Sequence, residues 1–138
     1  MIAYVDSSVV ARFVLRQPDR LVELERADRR LTSLVTQLEC LRAIDRARME
    51  EGVDPDEVSA RRLVLYGQLR RMERVAVSRS VLERAGEPMP WPVKTLDAIH
   101  IATALRCRER RTFDLIFATH DRQQGRVAAD LGFEVIGV

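Results

Sequence analysis

The stretch Met1-Ile2-Ala3-Tyr4-Val5-Asp6-Ser7-Ser8-Val9-Val10-Ala11-Arg12 decides the fold. An apolar, β-favouring run ends at Val5. A carboxylate and two hydroxyls follow, and a second apolar stretch closes on a basic residue. That order reads as strand, turn and helix. It sets Asp6 at the carboxyl end of a strand and the amino end of a helix, the edge at which open α/β sheets bind ligands. Asp6 is then either a helix cap or one member of an acidic site.

Working outward, the same alternation recurs. Ser7 or Ser8 can cap a helix to about Arg16, and Pro18–Arg29 reads as a second, charged helix. Leu31–Val35 reads as a strand, followed by a helix from Thr36 to about Glu51 with Leu38, Leu41 and Ile44 on one face. Gly52-Val53-Asp54-Pro55 is a breaker with proline at a helix start. The next segment, Asp56–Arg71, is helical by pattern, with Val58, Leu63, Tyr66 and Leu69 as packing residues. Glu73–Ser78 alternates as a strand, and Arg79–Ala85 is a short helix ended by Gly86. Pro88, Pro90 and Pro92 make a rigid loop around Trp91. Thr95–Arg108 is the most apolar helix, Phe113–Ala118 a strand, Arg122–Leu131 a helix and Glu134–Val138 a final edge strand. Strands alternating with helices imply crossovers and a mostly parallel sheet. The expectation is one α/β domain over residues 1–138, with four to five strands flanked by helices.

The bulk numbers agree with a soluble globular chain: 138 residues, 46% hydrophobic and 32% charged. A net charge of +2 gives no global field that argues for nucleic acid. The basic residues are almost all arginine, Lys94 being the single lysine. Arginine suits phosphate and carboxylate forks, although a GC-rich genome gives the same bias. Cys40 and Cys107 stand far apart without metal-ligand spacing and read as small core residues in a reducing compartment. No secretory signal pattern opens the chain, and no apolar run approaches the roughly 18 residues of a membrane span. The expected location is the cytoplasm.

Four carboxylates fall at junctions between elements. Asp6 follows the first strand, Glu39 lies in the first turn of the helix after the second, Asp97 opens the apolar helix, and Asp121 follows the fourth strand. A parallel sheet gathers such junctions along one edge. Four carboxylates in one cleft raise each other's pKa, and a hard cation such as Mg²⁺ or Mn²⁺, which takes oxygen ligands, removes the conflict. Such an ion activates water for phosphodiester displacement. Capping competes for three of them. Asp6 and Asp121 can cap the helices that follow, and Thr36-Gln37-Leu38-Glu39 fits a capping box.

Asp97 is different, because from Leu96 to Leu105 it is the only formally charged residue. A helix apolar nearly all round is buried on most sides, and a carboxylate at its mouth needs a partner. The helix dipole supplies about 0.3–1 kcal/mol at an exposed position, too little to justify burying a charge. A cation or an arginine is the expected partner. His100, one turn on, reads as a core histidine bonded to backbone, with base or ligand as the other role. His120 is expected to face solvent. Ser8 and Thr119 cap helices or hydrogen-bond to the carboxylates or a metal-bound water. Asp45, Asp114 and Asp130 read as ordinary surface acids, and Arg42, Arg46 and Arg48 meet phosphates or are simply solvated. Trp91 reads as a loop anchor.

Four stretches carry a resemblance: Tyr4-Val5-Asp6-Ser7-Ser8, Val35 to Ala43, Thr95 to Ala104, and Ala118-Thr119-His120-Asp121-Arg122. In order and spacing they resemble a PIN-domain protein, and within that family a VapC-type ribonuclease toxin of a bacterial toxin–antitoxin pair. The resemblance implies a parallel sheet flanked by helices, Mg²⁺ or Mn²⁺ dependence and endoribonuclease activity on RNA. It also implies a homodimer and a cognate antitoxin that inserts a segment into the acidic cleft. The family's acids fall on Asp6, Glu39, Asp97 and Asp121, and its small hydroxyl residues on Ser8 and Thr119. Ser7 stands where threonine is frequent and Cys40 where an aliphatic is common. Two other classes compete. A phospho-acceptor signalling domain wants paired acids after the first strand and a lysine ending a late strand, whereas Asp6 stands alone and Lys94 precedes a helix. A catalytically silent binding module for RNA or protein would keep the fold without needing all four acids.

Overall fold

The computed structural model describes residues 1–111 and 113–138. The opening run Ile2–Val5 forms strand β1. Ala3, Tyr4 and Val5 are wholly buried, as a strand covered on both faces of a parallel sheet requires. Arg29–Ser33 is β2, Glu73–Val75 β3, Ile116–Ala118 β4 and Glu134–Ile136 β5. All pairings are parallel, in the order β3-β2-β1-β4-β5. The helices are α1 (Ser7–Val14), α2 (Val35–Glu51), α3 (Pro55–Arg70), α4 (Arg79–Ala85), α5 (Thr95–Arg111) and α6 (Arg122–Asp130).

Alternation along β1 divides the core. Ala3 and Val5 point to one face, where Val9, Val10 and Val14 of α1, Ile44 of α2 and Leu65 and Leu69 of α3 cover them. Tyr4 points to the other, with Ile101 and Leu105 of α5, Phe117, Val127 of α6 and Phe133. Tyr4 and Phe117 are register partners on neighbouring strands, and their rings stack at 5.3 Å. Such an aromatic pair adds about 0.5–1.5 kcal/mol beyond its buried area. Val81 of α4 packs on Ile99 and Ala102 of α5.

The chain runs from β1 outward to β2 and β3, then returns to the opposite side of β1 for β4 and β5. The reversal between β1 and β4 is a topological switch point, where the crevice at the strand carboxyl ends receives ligands. Val5 pairs with Ala118 in register, so Asp6 and Thr119 leave the sheet side by side. The backbone N–H of Asp6 donates to the Ala118 carbonyl at 2.9 Å.

Several local expectations fail for tertiary reasons. Pro18–Arg29 forms only a 3-10 turn at Val22–Arg26, because Arg29–Leu31 pair with Ile2–Tyr4 and pull the end of that segment into the sheet. The second strand thus starts and ends two residues early, and Val35 begins α2, its N–H donating to Ser33 Oγ at 3.2 Å. The other strands are shorter than expected, ending at Val75 and Ile136 and starting at Ile116. In α3, Leu65 and Leu69 carry the packing, one turn apart, while Leu63 is 70% exposed. Tyr66 and, in α2, Leu38 are exposed as well.

Candidate active site

Asp6 is held by the groups around the switch point. Its Oδ2 accepts from the Ser8 N–H at 3.0 Å and Ser8 Oγ at 2.5 Å, which makes Asp6 itself, rather than Ser7 or Ser8, the cap of α1. Oδ1 accepts from Gln124 Nε2 at 3.1 Å. Thr119 Oγ1 has one proton to give, and its nearest acceptor is Gln124 Oε1 at 2.7 Å, with Asp6 Oδ2 at 3.3 Å. Thr119 Oγ1 in turn accepts from the Asp121 N–H at 3.0 Å, and Ser8 Oγ from the His120 N–H at 3.0 Å. Asp6 is only 3% exposed, and Thr119 and Gln124 are fully buried. Burying a carboxylate is costly without such donors, and here the chain's own side chains provide them. Ser8 thus bonds to the acid directly, as one of its two expected roles required, while Thr119 supports it through Gln124.

Glu39 comes to the same edge from α2. The start of that helix is anchored by Thr36, whose hydroxyl meets Thr32 Oγ1 at 2.7 Å while Thr32 donates to the Val5 carbonyl at 2.6 Å. Because α2 begins at Val35 with no side-chain cap, Glu39 lies beyond the first turn and forms no capping box. Its Oε2 accepts from Ser7 Oγ at 3.0 Å, and its Oε1 lies 2.6 Å from His100 Nε2. His100 is wholly buried, and its bonds go to side chains, not to backbone as expected: Nδ1 meets Tyr4 Oη at 2.8 Å, and Nε2 also lies 3.5 Å from Asp6 Oδ1. Burial opposes a charge on the ring, but the bond to Glu39 and the charges of Asp6, Glu39 and Asp97 together outweigh it and raise the His100 pKa. Burial, then Asp6, pushes the Tyr4 phenol well above its usual value.

Asp121 caps α6, its Oδ1 accepting from the Gln124 N–H at 2.9 Å. Asp97 has no such support. It sits in the first turn of α5, and no hydrogen bond or ion pair from another described residue reaches its carboxylate. The arginine partner that was one expectation for it is absent among the described residues. Burial, followed by the charges of Asp6 and Asp121, raises its pKa to about 6, with Glu39 adding to the effect. Asp97 therefore feels the charge of the three other junction acids. Among the described residues no three acidic, histidine or cysteine side chains are closed up as a ligand cage. The donor set still suits a hard cation: oxygen ligands from several elements, and one half-buried carboxylate with no hydrogen-bond or ion-pair partner among the described residues.

A profile of the PIN domain matches residues 3–130. The chain belongs to the PIN-domain family. It is 32% identical over 137 residues to Ribonuclease VapC46 of Mycobacterium tuberculosis, covering 96% of this chain and 95% of that protein. Among solved structures, this PIN domain is similar to VapBC2 from Rickettsia felis bound to a DNA fragment from its promoter. That likeness has a TM-score of 0.66 and 14% identity, and covers 98% of this chain and 97% of the other. A toxin–antitoxin complex from Klebsiella pneumoniae gives a TM-score of 0.63 at 18% identity, covering 88% of each chain. Both likenesses speak to the fold.

Within the PIN domain, Gln124 is the site residue that sequence reasoning missed. It stands three residues after Asp121, where a glutamine reads as the second half of a capping box, yet its amide bridges Asp6 and Thr119. His120 is partly buried instead of solvent-facing, its Nδ1 bonding to the Gly137 carbonyl at 3.0 Å. Gly137 has φ 101°, and a Cβ there would lie 2.3 Å from the Thr119 carbonyl oxygen, so only glycine lets the chain pass this close to the site. Trp91 anchors its loop: the indole N–H donates to the Asp130 carboxylate, and Arg126 lies 3.4 Å over the ring. Arg42 and Arg48 pair with Asp45 on the surface, and Arg46 is exposed. Cys40 is a buried free thiol whose pKa burial pushes up to about 12. No helix of the described residues is long and apolar enough to cross a membrane.

Proposed function

We propose that this PIN domain is a Mg²⁺- or Mn²⁺-dependent endoribonuclease, the toxin of a toxin–antitoxin pair that works in the cytoplasm. The observation that carries the reading is Asp97, a half-buried carboxylate with no hydrogen-bond or ion-pair partner among the described residues. Its pKa is raised to about 6 by burial first and then by the charges of Asp6, Asp121 and Glu39, against the opposing charge of His100. A divalent cation, when bound, supplies a counter-charge, lowers the pKa of a bound water and neutralises the phosphate. Asp6, Asp97 and Asp121 would hold it, and Glu39 would ligate it or orient the attacking water. Ser8, Thr119 and Gln124 keep the Asp6 oxygens turned to the crevice, and Asp121 is fixed by its own cap. Two cavities, of about 530 and 700 Å³, are lined by other residues, such as Phe13 and Met72 in one and Leu82 and Trp91 in the other. A linear polymer lying across the strand ends needs no enclosed pocket.

The relatives support the biological setting. One is named a ribonuclease and another is a toxin–antitoxin complex; these names support RNA as the substrate and a cognate antitoxin as the partner, and the working form we propose is a homodimer. The test is cleavage of an RNA pool by purified protein with and without EDTA. Loss of cleavage in Asp6→Asn and Asp97→Asn, with both variants folded, is the expected result. Wild-type cleavage by Asp97→Asn removes the assignment.

A further inference from the structure

The buried imidazole of His100 stands where three parts of the site meet. The ring lies on α5, one turn after Asp97 and on the same side. Nε2 faces acceptors only, Glu39 Oε1 at 2.6 Å on α2 and Asp6 Oδ1 at 3.5 Å beyond β1, so it carries a proton toward them. On the far side Tyr4, from the middle of β1, holds Nδ1 at 2.8 Å. Tyr4 is itself clamped edge-on to the imidazole and stacked on Phe117. The ring therefore has no freedom to turn. A core filler in this place would need neither two hydrogen bonds nor contact with two acids, and an apolar residue would leave Glu39 Oε1 without its donor.

We infer that His100 is a positioning residue, which through Nε2 fixes the Glu39 carboxylate relative to Asp6 and is itself held in place by the Tyr4 hydroxyl. This also ties α5, and with it Asp97, to the opposite wall of the crevice. The inference rests on the nuclease reading of the same site. Its consequence is that Glu39 enters the chemistry with one oxygen already committed to His100 and the other to Ser7.

The test uses two amides of similar character and different reach. In His100→Gln the side-chain N–H₂ extends to the position of Nε2, whereas in His100→Asn it stops near Nδ1 and serves only Tyr4. Partners one step behind the ligands typically contribute about 10–100-fold to metal affinity or activity. His100→Asn is expected to lose that much in kcat for RNA and in Mn²⁺ affinity by calorimetric titration, with KM little changed. His100→Gln should stay within a few-fold of wild type, and Tyr4→Phe should lose a few-fold in kcat. Equal losses in the two amide variants, or a His100→Asn protein with wild-type kcat and Mn²⁺ affinity, overturn the inference. Should His100→Asn not fold, full loss in His100→Gln together with unchanged Tyr4→Phe does the same. A wild-type protein that binds no Mn²⁺ and cuts no RNA removes the nuclease reading and this inference with it. An active wild type with indifferent His100 variants removes the inference alone.

Discussion

The two walls of the crevice treat their carboxylates in opposite ways. On the β1–β4 side, Asp6 is nearly sealed from solvent and supplied with donors by Ser8 and Gln124, the latter held by Thr119. On the α5 side, Asp97 is half-buried and receives nothing from the described residues. A carboxylate whose charge is met by fixed dipoles is already oriented and costs little further to use. One left bare is destabilising until a cation arrives. The first wall therefore supplies geometry and the second supplies the demand for a ligand.

The largest expected effect is on that second wall. Asp97→Asn should lower RNA cleavage on the order of 1000-fold, since a catalytic ion contributes several kcal/mol to the transition state. The same change should stabilise the metal-free protein at neutral pH, by about 1 kcal/mol once partial solvent screening of Asp97 is allowed for. A thermal scan in EDTA checks it, and a lower midpoint than wild type would break the contrast between the walls. On the first wall the sign reverses. Gln124→Leu strips a donor from a buried charge and should cost about 2–3 kcal/mol, read as a lower midpoint with or without metal. Mn²⁺ at 100 times its dissociation constant should add about 2.7 kcal/mol to wild type and nothing to Asp97→Asn.

A smaller effect appears in pH. The folded pKa of Asp97 is raised to about 6 from 3.8, so between those values the folded state binds more protons than the unfolded one. Its contribution to metal-free stability therefore falls as pH rises through that window. The raised His100 pKa acts in the same sense above its usual 6.5. Asp45 and Glu73, held low by Arg48 and Arg111, act in the opposite sense at acid pH. Comparing wild type with Asp97→Asn cancels those surface terms. The stability advantage of the variant should be absent near pH 4 and full by about pH 7. The smallest change is expected for Asp45→Ala, whose solvent-screened surface pairing with Arg42 and Arg48 contributes little; it should leave the thermal midpoint and cleavage unaltered.

The two walls also differ in how plainly the sequence announces them. Asp97 is conspicuous as a lone charge in an apolar helix, and Asp6 follows a strand that the apolar, β-favouring run Ile2-Ala3-Tyr4-Val5 makes plain. The strand–helix succession gives the parallel sheet and its functional edge. What supports the acids is hidden, because its partners are remote. Gln124 resembles a helix cap, and only the pairing of β1 with β4 turns its amide toward Asp6. Glu39 imitates a capping box that an earlier helix start abolishes. His100 finds Tyr4 and Glu39 at positions far from its own, which no local pattern records. The same remoteness explains Pro18–Arg29, whose helical composition yields to pairing with the first strand.

The strand order carries a consequence for synthesis. Of the five strands the central one comes earliest in the chain, yet one of its two neighbours, β4, lies more than a hundred positions later. Parallel strands so far apart in sequence pair late, after long loops have closed. Until β4 docks, Asp6 lacks Thr119 and Gln124, and Asp121 has no place beside it. The acidic crevice is thus among the last features to form, and a chain still emerging from the ribosome carries its acids without the donors that orient them.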